Sequence, residues 1–501
     1  MQTPTPTDGT VVRFRDDARA EFQADRVVLT SPAGVVAMRQ VGSGLGAALR
    51  RLADGPVDPA VLLSGLTGRE AAQLRGFLDR APHLLAWGVV AGGHEMLRLE
   101  RTSPGTQYAP VTVAPAVRVR LSRFAFCRTR EGALVLESPL ARHRVLLVHP
   151  VARRLVAELG TPRTPTELAG DDLDVAAVGT LLGHLVGAGL VDAADSAGGF
   201  ESEVDLTLRQ WSFHDLLFHS RTRPGRYDDP IGGIYPHRGE IPPLPAVKEP
   251  PAGRTVELYR PELDEVLARD PAFTVALEGR RSIRSYGEEP LTLRQLGEFL
   301  YRVGRVRVLR GAEGDPTGNE IVGRPYPTGG SAYEIELYLT VRRCAGLDAG
   351  IWFYDSAAHR LVLVNDEPAD QAAMLDIAAG ATGGEADGDV LITLTSRFQR
   401  LSWKYAGIAY GMTLRHCGVV YQTMYLVATA MGLAPCGLGI GDADLTARVL
   451  RLDWLRETSV GDFLLGSRPA GELGTWRTED GWQLLNGADW ALRAGEELGL
   501  G

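Results

Sequence analysis

The sequence predicts an α+β protein: two small winged-helix-like modules, a proline-rich spacer, and a larger unit in which a mixed sheet is flanked by helices. Three observations predict it. A short pattern recurs within the first 200 residues, five prolines fall between Pro242 and Pro251, and strand-like and helical periods interleave after Arg260. With 501 residues the chain has room for about three domains. Its 45% hydrophobic and 23% charged residues exclude wholesale disorder, collagen and coiled coil. A net charge of -9 gives no general attraction to nucleic acid or to an anionic membrane, so neither is expected as a partner.

The repeat comes first along the chain. Val27-Val28-Leu29-Thr30-Ser31-Pro32 resembles Leu134-Val135-Leu136-Glu137-Ser138-Pro139, and the stretch His83 to Val90 resembles His184 to Val191. In each copy a period of two precedes helical spacing, and a short apolar strand follows. That order suits winged-helix-like modules, here residues 1–105 and 106–200. The helical part of the second, Asp171 to Gly189, holds three Asp and no Arg or Lys, so phosphates would repel it. Peptide binding and a structural scaffold are both open for these modules.

Residues 201–255 change character. Trp211 to Tyr227 is aromatic and rich in His and Arg, and the proline run is a semi-rigid spacer. His214, Asp215 and His219 lack further ligands at fixed spacing, so no metal is expected. Residues 256–501 form the large unit. Thr292 and Gln295 make a capping box for a helix with Leu293, Leu296, Phe299, Leu300 and Val303 on one face. Glu334 to Val341, Ile351 to Tyr354, Leu361 to Val364 and Val390 to Thr395 read as strands, and Trp403 to Gly432 as one long helix. The uncharged stretch Cys417 to Gly441 holds five glycines and Pro435, which suits a buried helix and a glycine-rich loop better than a membrane span.

Met1 to Thr10 is polar and proline-rich and reads as no secretory signal. Cys127, Cys344, Cys417 and Cys436 have no CxxC spacing, which suits reduced thiols in a cytoplasmic protein. Of 53 basic residues two are lysines, Lys248 and Lys404. A lysine kept against such a bias can do what arginine cannot, which is to release its proton near neutral pH. Lys248 lies in the proline-rich linker and reads as incidental; Lys404 does not.

Three further segments carry chemistry. Arg280-Arg281-Ser282-Ile283-Arg284 offers guanidiniums and a hydroxyl suited to a phosphate. Pro327-Thr328-Gly329-Gly330-Ser331 lets backbone approach a flat ligand before a strand. Gly437-Leu438-Gly439-Ile440-Gly441-Asp442 fails as a dinucleotide fingerprint, because it follows a helix and Asp442 stands where a third glycine belongs.

In this order the segments resemble the nitroreductase superfamily, and within it the peptide-modifying SagB/ThcOx-type azoline dehydrogenases. The resemblance rests on Arg280, Arg281, Ser282 and Arg284 as an RRSxR-like phosphate segment, and on Pro327 to Ser331. It rests also on Ala434-Pro435-Cys436-Gly437-Leu438-Gly439 as a small-residue loop over a flavin, and most specifically on the pair Lys404-Tyr405. Leu465 to Pro469 is similar to the closing segment, with Arg468 a less secure phosphate contact. Phe218 to Arg221 and Gly232-Gly233 also look like this branch.

What the resemblance implies is an FMN enzyme, dimeric, with the cofactor at a homodimer interface. Its substrate would be a precursor peptide carrying thiazoline or oxazoline rings, its leader held by the N-terminal modules, and a cyclodehydratase is an implied companion. One proton and one hydride would leave adjacent ring carbons, with Lys404 as base and Tyr405 as its partner, or the reverse. Two other readings are an ordinary NAD(P)H-dependent FMN reductase, which leaves Lys404-Tyr405 idle, and a non-catalytic peptide-binding scaffold.

Overall fold

The structure, a computed structural model, describes residues 8–23, 25–31, 34–103, 109–315, 317–384, 387–471, 473 and 478–500. Residues 1–7 of the polar N-terminal stretch, Pro32 of the repeat and the expected boundary at 105/106 lie outside these. The chain divides into two units, Met1–Ile231 and Gly232–Gly501.

In the first unit one order of elements occurs twice. The first copy opens with strands β1 (Gly9–Phe14), β2 (Arg19–Phe22), β3 (Arg26–Ser31) and β4 (Gly34–Arg39). Helices α1 (Ser43–Asp54), α2 (Pro59–Leu63) and α3 (Gly68–Arg80) follow, then the hairpin β5 (Leu85–Ala91) and β6 (His94–Arg101). The second copy runs β7 (Val119–Leu121), β8 (Phe126–Arg130), β9 (Ala133–Glu137) and β10 (His143–Leu147). Then come α4 (Pro150–Glu158), α5 (Pro165–Leu168), α6 (Val175–Gly187) and β11 (Val191–Ala193).

β1 pairs with β5 as β7 pairs with β11. The bridge between Val12 and Val57, just before α2, recurs as Val119 to Arg163 just before α5. The copies share one sheet: β6 pairs with β10, giving the order β1-β5-β6-β10-β9-β8. The acidic residues of the second copy sit at the start of α6, not on its body. Asp174 caps it by accepting from Ala177 N at 2.8 Å, and Asp172 pairs with Arg154. Residues 109–113 lie along α6; Val111 N donates to Gly183 O at 3.1 Å, and a Cβ on Gly183 would overlap the Val111 carbonyl. That helix face is therefore covered by the chain itself.

After α7 (Glu201–Val204) and α8 (Phe213–Arg221), residues 225–229 are clamped onto the shared sheet. Arg15 meets Asp228 at 2.8 Å, Arg144 also meets Asp228, and Arg130 meets Asp229 at 2.7 Å. His214 Nε2 lies 3.6 Å from Asp215, which shares the α8 cap with Ser212, while His219 stacks on Trp211.

The second unit is built on a seven-stranded sheet, β12-β17-β16-β15-β18-β20-β19. Its strands are β12 (Thr255–Glu257), β15 (Ile335–Val341), β16 (Gly350–Asp355), β17 (Arg360–Asn365), β18 (Val390–Arg397), β19 (Leu433–Leu438) and β20 (Glu457–Ser467); β13 (Val308–Arg310) and β14 (Ile321–Gly323) pair apart. The sequence leads one to expect a mixed sheet, and each pairing along this one is antiparallel. Helices α9 (Leu263–Arg269), α10 (Phe273–Gly279), α11 (Leu293–Gly304), α12 (Pro368–Ala381), α13 (Phe398–Ser402), α14 (Ala409–Ala430), α15 (Ala443–Val449) and α16 (Ala488–Glu497) surround it. The expected Thr292–Gln295 capping box opens α11, and its apolar face enters the main core beside β15 and β18.

Three expectations change. Trp403 to Gly432 is not one helix, because residues 403–408 turn between α13 and α14. Their backbone bonds go elsewhere: Tyr235 N donates to Lys404 O at 3.0 Å, and Ala406 bridges to Gly232. The stretch read as a glycine-rich loop is mostly strand β19, whose backbone pairs with β20 from Leu433 to Leu438. Lys248 is not incidental. Its Nζ donates to Glu457 Oε2 at 2.6 Å and Tyr338 Oη at 2.7 Å, and it lies over the Tyr338 and Phe353 rings, which pins the proline-rich segment to the sheet. Asp442, the misfit in the dinucleotide pattern, caps α15 through Leu445 N at 2.8 Å. Among the described residues no helix is long and apolar enough to cross a membrane.

Candidate active site

The turn 403–408 carries Lys404 and Tyr405, and the strap 232–241 fixes it. Besides the Gly232–Ala406 bridge, Trp403 Nε1 donates to Ile241 O at 2.6 Å and its ring meets Tyr235 edge-on. The Gly233 Cα lies beside the Tyr405 ring, since a Cβ there would sit 3.4 Å from Cε1. Lys404 projects over Tyr235 and Tyr405, each ring centroid 5.6 Å from Nζ. That Nζ donates to Gly330 O at 3.3 Å.

Gly330 is the point where the two predicted motifs meet. Its φ of +60° is left-handed, and a Cβ there would overlap Tyr405 Oη and lie 2.5 Å from Lys404 Nζ. A side chain at 330 would fill the space where the amine and the phenol converge. The rest of the segment is held from below. Thr328 Oγ1 accepts from Tyr333 N at 3.2 Å, and Gly329 N donates to His416 Nε2 at 2.8 Å. His416 Nδ1 in turn bonds Glu334 Oε1 at 2.7 Å, both side chains being buried.

A second cluster gathers the Arg280–Arg284 segment. Ile283 N donates to Pro435 O at 2.8 Å, laying the segment along β19. Ser282 Oγ meets Tyr425 Oη at 2.7 Å, and Tyr425 Oη accepts from Gly437 N at 2.7 Å. The Arg280 guanidinium lies 5.0 Å over the Tyr425 ring. Burial pushes the Cys436 thiol up, and the hydrogen-bonded Arg284 guanidinium offsets only part of that rise. Arg468 donates to Leu498 O at 2.6 Å, and Arg281 lies against Gly495 near the end of α16. Ala434, Pro435, Cys436 and Leu438 are buried in β19, so they offer backbone, while Gly439 is exposed.

The structure thus joins Pro327–Ser331 to Lys404–Tyr405, and Arg280–Arg284 to Ala434–Leu438. The two clusters meet α14 at different places, one at His416 and the other at Tyr425. His416 and Tyr425 stand nine residues apart on α14, which is about half a turn round and about 13 Å along. Glu334, His416, Tyr425 and the strap tyrosine Tyr235 are participants that sequence reasoning missed. A cleft of about 430 Å³ beside the same turn is lined by Phe398, Ser402, Tyr410, Trp454 and Leu455.

With this geometry in view, two family models match: residues 277–466 match the nitroreductase family, and residues 119–228 match the cyanobactin oxidase ThcOx family. The second unit carries a nitroreductase-family oxidoreductase domain. A Methanocaldococcus jannaschii protein assigned as a nitroreductase is 28% identical over 187 residues, 37% of this chain and 85% of that one. Among solved structures, the Escherichia coli microcin synthetase McbBCD with truncated pro-MccB17 is 16% identical over 42% of this chain and 98% of its own, TM-score 0.31. A Desulfovibrio desulfuricans nitroreductase-type protein in complex with FMN is 15% identical over 43% and 98%, TM-score 0.26.

Members of the nitroreductase family bind FMN, and the donor set of this nitroreductase domain fits that group. Among the described residues no ion pair joins Arg280 or Arg284 to a carboxylate: Arg280 lies over the Tyr425 ring and Arg284 bonds the Cys436 thiol, so the segment that carries the Ser282 hydroxyl offers two guanidiniums to a phosphate. At the other cluster Gly330 has no side chain, and the space a Cβ would take is held by Tyr405 Oη and Lys404 Nζ, so the groups a ring there would meet are the phenol, the amine and the backbone.

Proposed function

We propose that the chain is an FMN-dependent dehydrogenase that oxidises thiazoline or oxazoline rings of a ribosomally made precursor peptide to thiazoles or oxazoles. The observation that carries this reading is the convergence of Lys404 Nζ and Tyr405 Oη on Gly330. An ordinary reductase passing electrons from a nicotinamide has no use for an amine and a phenol aimed at one glycine. The match of residues 119–228 to a cyanobactin oxidase family supports a peptide substrate.

Arg280, Ser282, Arg284 and Arg468 would hold the phosphate, and the backbone of Ala434 to Gly439 and of Pro327 to Ser331 would flank the ring system. FMN, when bound, supplies a hydride acceptor. The chain's own part is the proton. Lys404 spends one N–H on Gly330 O, and as the neutral amine it keeps a lone pair to take a proton from the azoline carbon. Tyr405 Oη, which converges with the amine over Gly330, shares or relays that proton; the reverse assignment exchanges the two roles. Loss of proton and hydride from adjacent carbons leaves an aromatic azole, which drives the reaction forward.

The two clusters face opposite sides of α14, so a flavin touching both would draw one from each of two copies. A homodimer therefore belongs to this reading. So does a cytoplasmic setting with a cyclodehydratase, because azolines arise by cyclodehydration of Cys, Ser or Thr. The duplicated N-terminal unit would hold the leader and raise the local concentration of the core peptide. Anaerobic mixing of the FMN-loaded chain with a thiazoline peptide tests the reading. It predicts loss of flavin absorbance and of two hydrogens per ring; bleaching by NADH alone, with an unchanged peptide, would support the ordinary reductase instead.

A further inference from the structure

Lys404 is held by a carbonyl, and that carbonyl is held by something the catalytic pair does not include. The Gly329–Gly330 turn is gripped at both ends. At one end Gly330 O accepts from Lys404 Nζ at 3.3 Å; at the other Gly329 N donates to His416 Nε2 at 2.8 Å. His416 comes from α14 and Glu334 from the residue before the fully buried strand β15, so the turn is tied to the long helix and to the central sheet.

The bond directions fix the imidazole. Because Gly329 N–H donates, Nε2 has to carry its lone pair, and the ring proton has to lie on Nδ1, where Glu334 Oε1 accepts it at 2.7 Å. Glu334 is wholly buried and among the described residues its Oε2 has no hydrogen-bond partner, so this carboxylate is kept in the core at a cost. A hydrophobic pair of similar volume would pack there without that cost. What it would not supply is an acceptor aimed at Gly329 N–H.

We infer that His416, oriented by Glu334, is a positioning residue for Lys404: it fixes the two-glycine turn whose carbonyl orients the amine. This rests on the reading of Lys404 as part of the catalytic pair and adds to it a buried residue that acts through the turn. An unsupported turn would let Gly330 O and the amine drift together, and displacements of about 1 Å at a reacting group can cost about a hundredfold in rate.

The test uses the full-length, FMN-loaded protein with His416→Leu and His416→Gln, each alone and with Lys404→Ala. Gln offers an oxygen to Gly329 N–H and an N–H to Glu334, so it restores the link even where Leu weakens the fold. With a thiazoline peptide, His416→Leu lowers kcat about tenfold or more with KM little changed, and His416→Gln recovers most of it. Adding His416→Leu to Lys404→Ala costs less than about twofold more, because the residue acts through an amine already gone.

A second readout needs no turnover. The chain has two lysines, and Lys248 is sequestered against Glu457. Reductive methylation followed by peptide mass analysis therefore reports Lys404 almost alone. His416→Leu is expected to change its labelling rate at least about threefold, and His416→Gln to restore it, with Lys248 unchanged. Unchanged Lys404 labelling in His416→Leu, or a loss of turnover that multiplies with that of Lys404→Ala, would overturn the inference. Full turnover by Lys404→Ala would instead defeat the underlying reading, with the labelling result still deciding whether His416 positions the amine.

Discussion

Lys404 Nζ and the Gly330 carbonyl oxygen are 3.3 Å apart, and this contact joins two motifs separated by 74 residues of sequence. It places the amine on the one backbone site in its segment that has both a left-handed φ and no room for a Cβ. The turn that presents Lys404 and the turn that receives it are therefore a matched pair, and each is separately braced: one by the 232–241 strap, the other by His416.

Gly330→Ala is the most economical disruption of that pair. The left-handed conformation costs an alanine about 1–2 kcal/mol, and the new Cβ displaces Tyr405 Oη and Lys404 Nζ. Turnover on an azoline peptide is expected to fall at least about tenfold, more than the stability loss explains. Urea unfolding alongside single-turnover flavin reduction separates the two effects.

Arginine at 404 keeps the charge and loses the function. Lys404→Arg can still donate to Gly330 O but cannot release a proton near neutral pH, so it should be about as slow as Lys404→Ala, roughly a hundredfold or more below the natural enzyme. Tyr405→Phe tests the phenol in the same assay. A Lys404→Arg protein with more than half the natural rate would remove the base role.

Lys248→Ala is expected to destabilise the second unit by about 3 kcal/mol, because it leaves the buried Glu457 carboxylate without its cation. The denaturant midpoint reports this. Flavin content at low denaturant should hardly change, since Lys248 touches neither cluster.

Asp462 gives a pH signature. Burial raises its carboxyl to about 6, against the pull of the Thr393 hydroxyl at 2.6 Å. The unfolded chain releases that proton near pH 4, so the folded state binds it more tightly. Its contribution to stability is complete below about pH 4 and is lost as the pH rises through about 6. Asp462→Asn removes the loss. The variant should gain on the natural protein by about 2–3 kcal/mol between pH 4 and 7 in urea midpoints.

Leader recognition is open to a test on the intact chain. If the duplicated unit holds the leader, a leader peptide added in trans competes with a full precursor, raises its apparent KM, and leaves the oxidation of a leaderless azoline unchanged. Equal effects on both substrates would place leader binding at the flavin site.

Local signals were legible in the sequence because each is written in neighbouring residues. Thr292 and Gln295 specified the α11 cap, the alternation of Ile335, Leu337 and Leu339 specified β15, and the paired segments near Val27 and Leu134 pointed to a duplication whose bridges recur at Val12 and Val119. What was not legible depends on partners far away. The helix expected from Trp403 onward is interrupted because Gly232 and Tyr235 take its backbone bonds. Lys248 looked like spacer until Glu457, 209 residues on, supplied its carboxylate. His416 was one histidine in an apolar helix, and only the fold sets it between Glu334 and Gly329. Lys404 stood out through the scarcity of lysine, a compositional clue that needs no structure.

The most direct measurement of the central claim is anaerobic stopped-flow of the FMN-loaded natural protein and its Lys404→Ala variant with a thiazoline peptide. The account predicts rapid flavin bleaching and a peptide lighter by two hydrogens per ring for the natural protein, and bleaching slower by about a hundredfold or more for a variant that retains its flavin. Equal rates for the two proteins would contradict it.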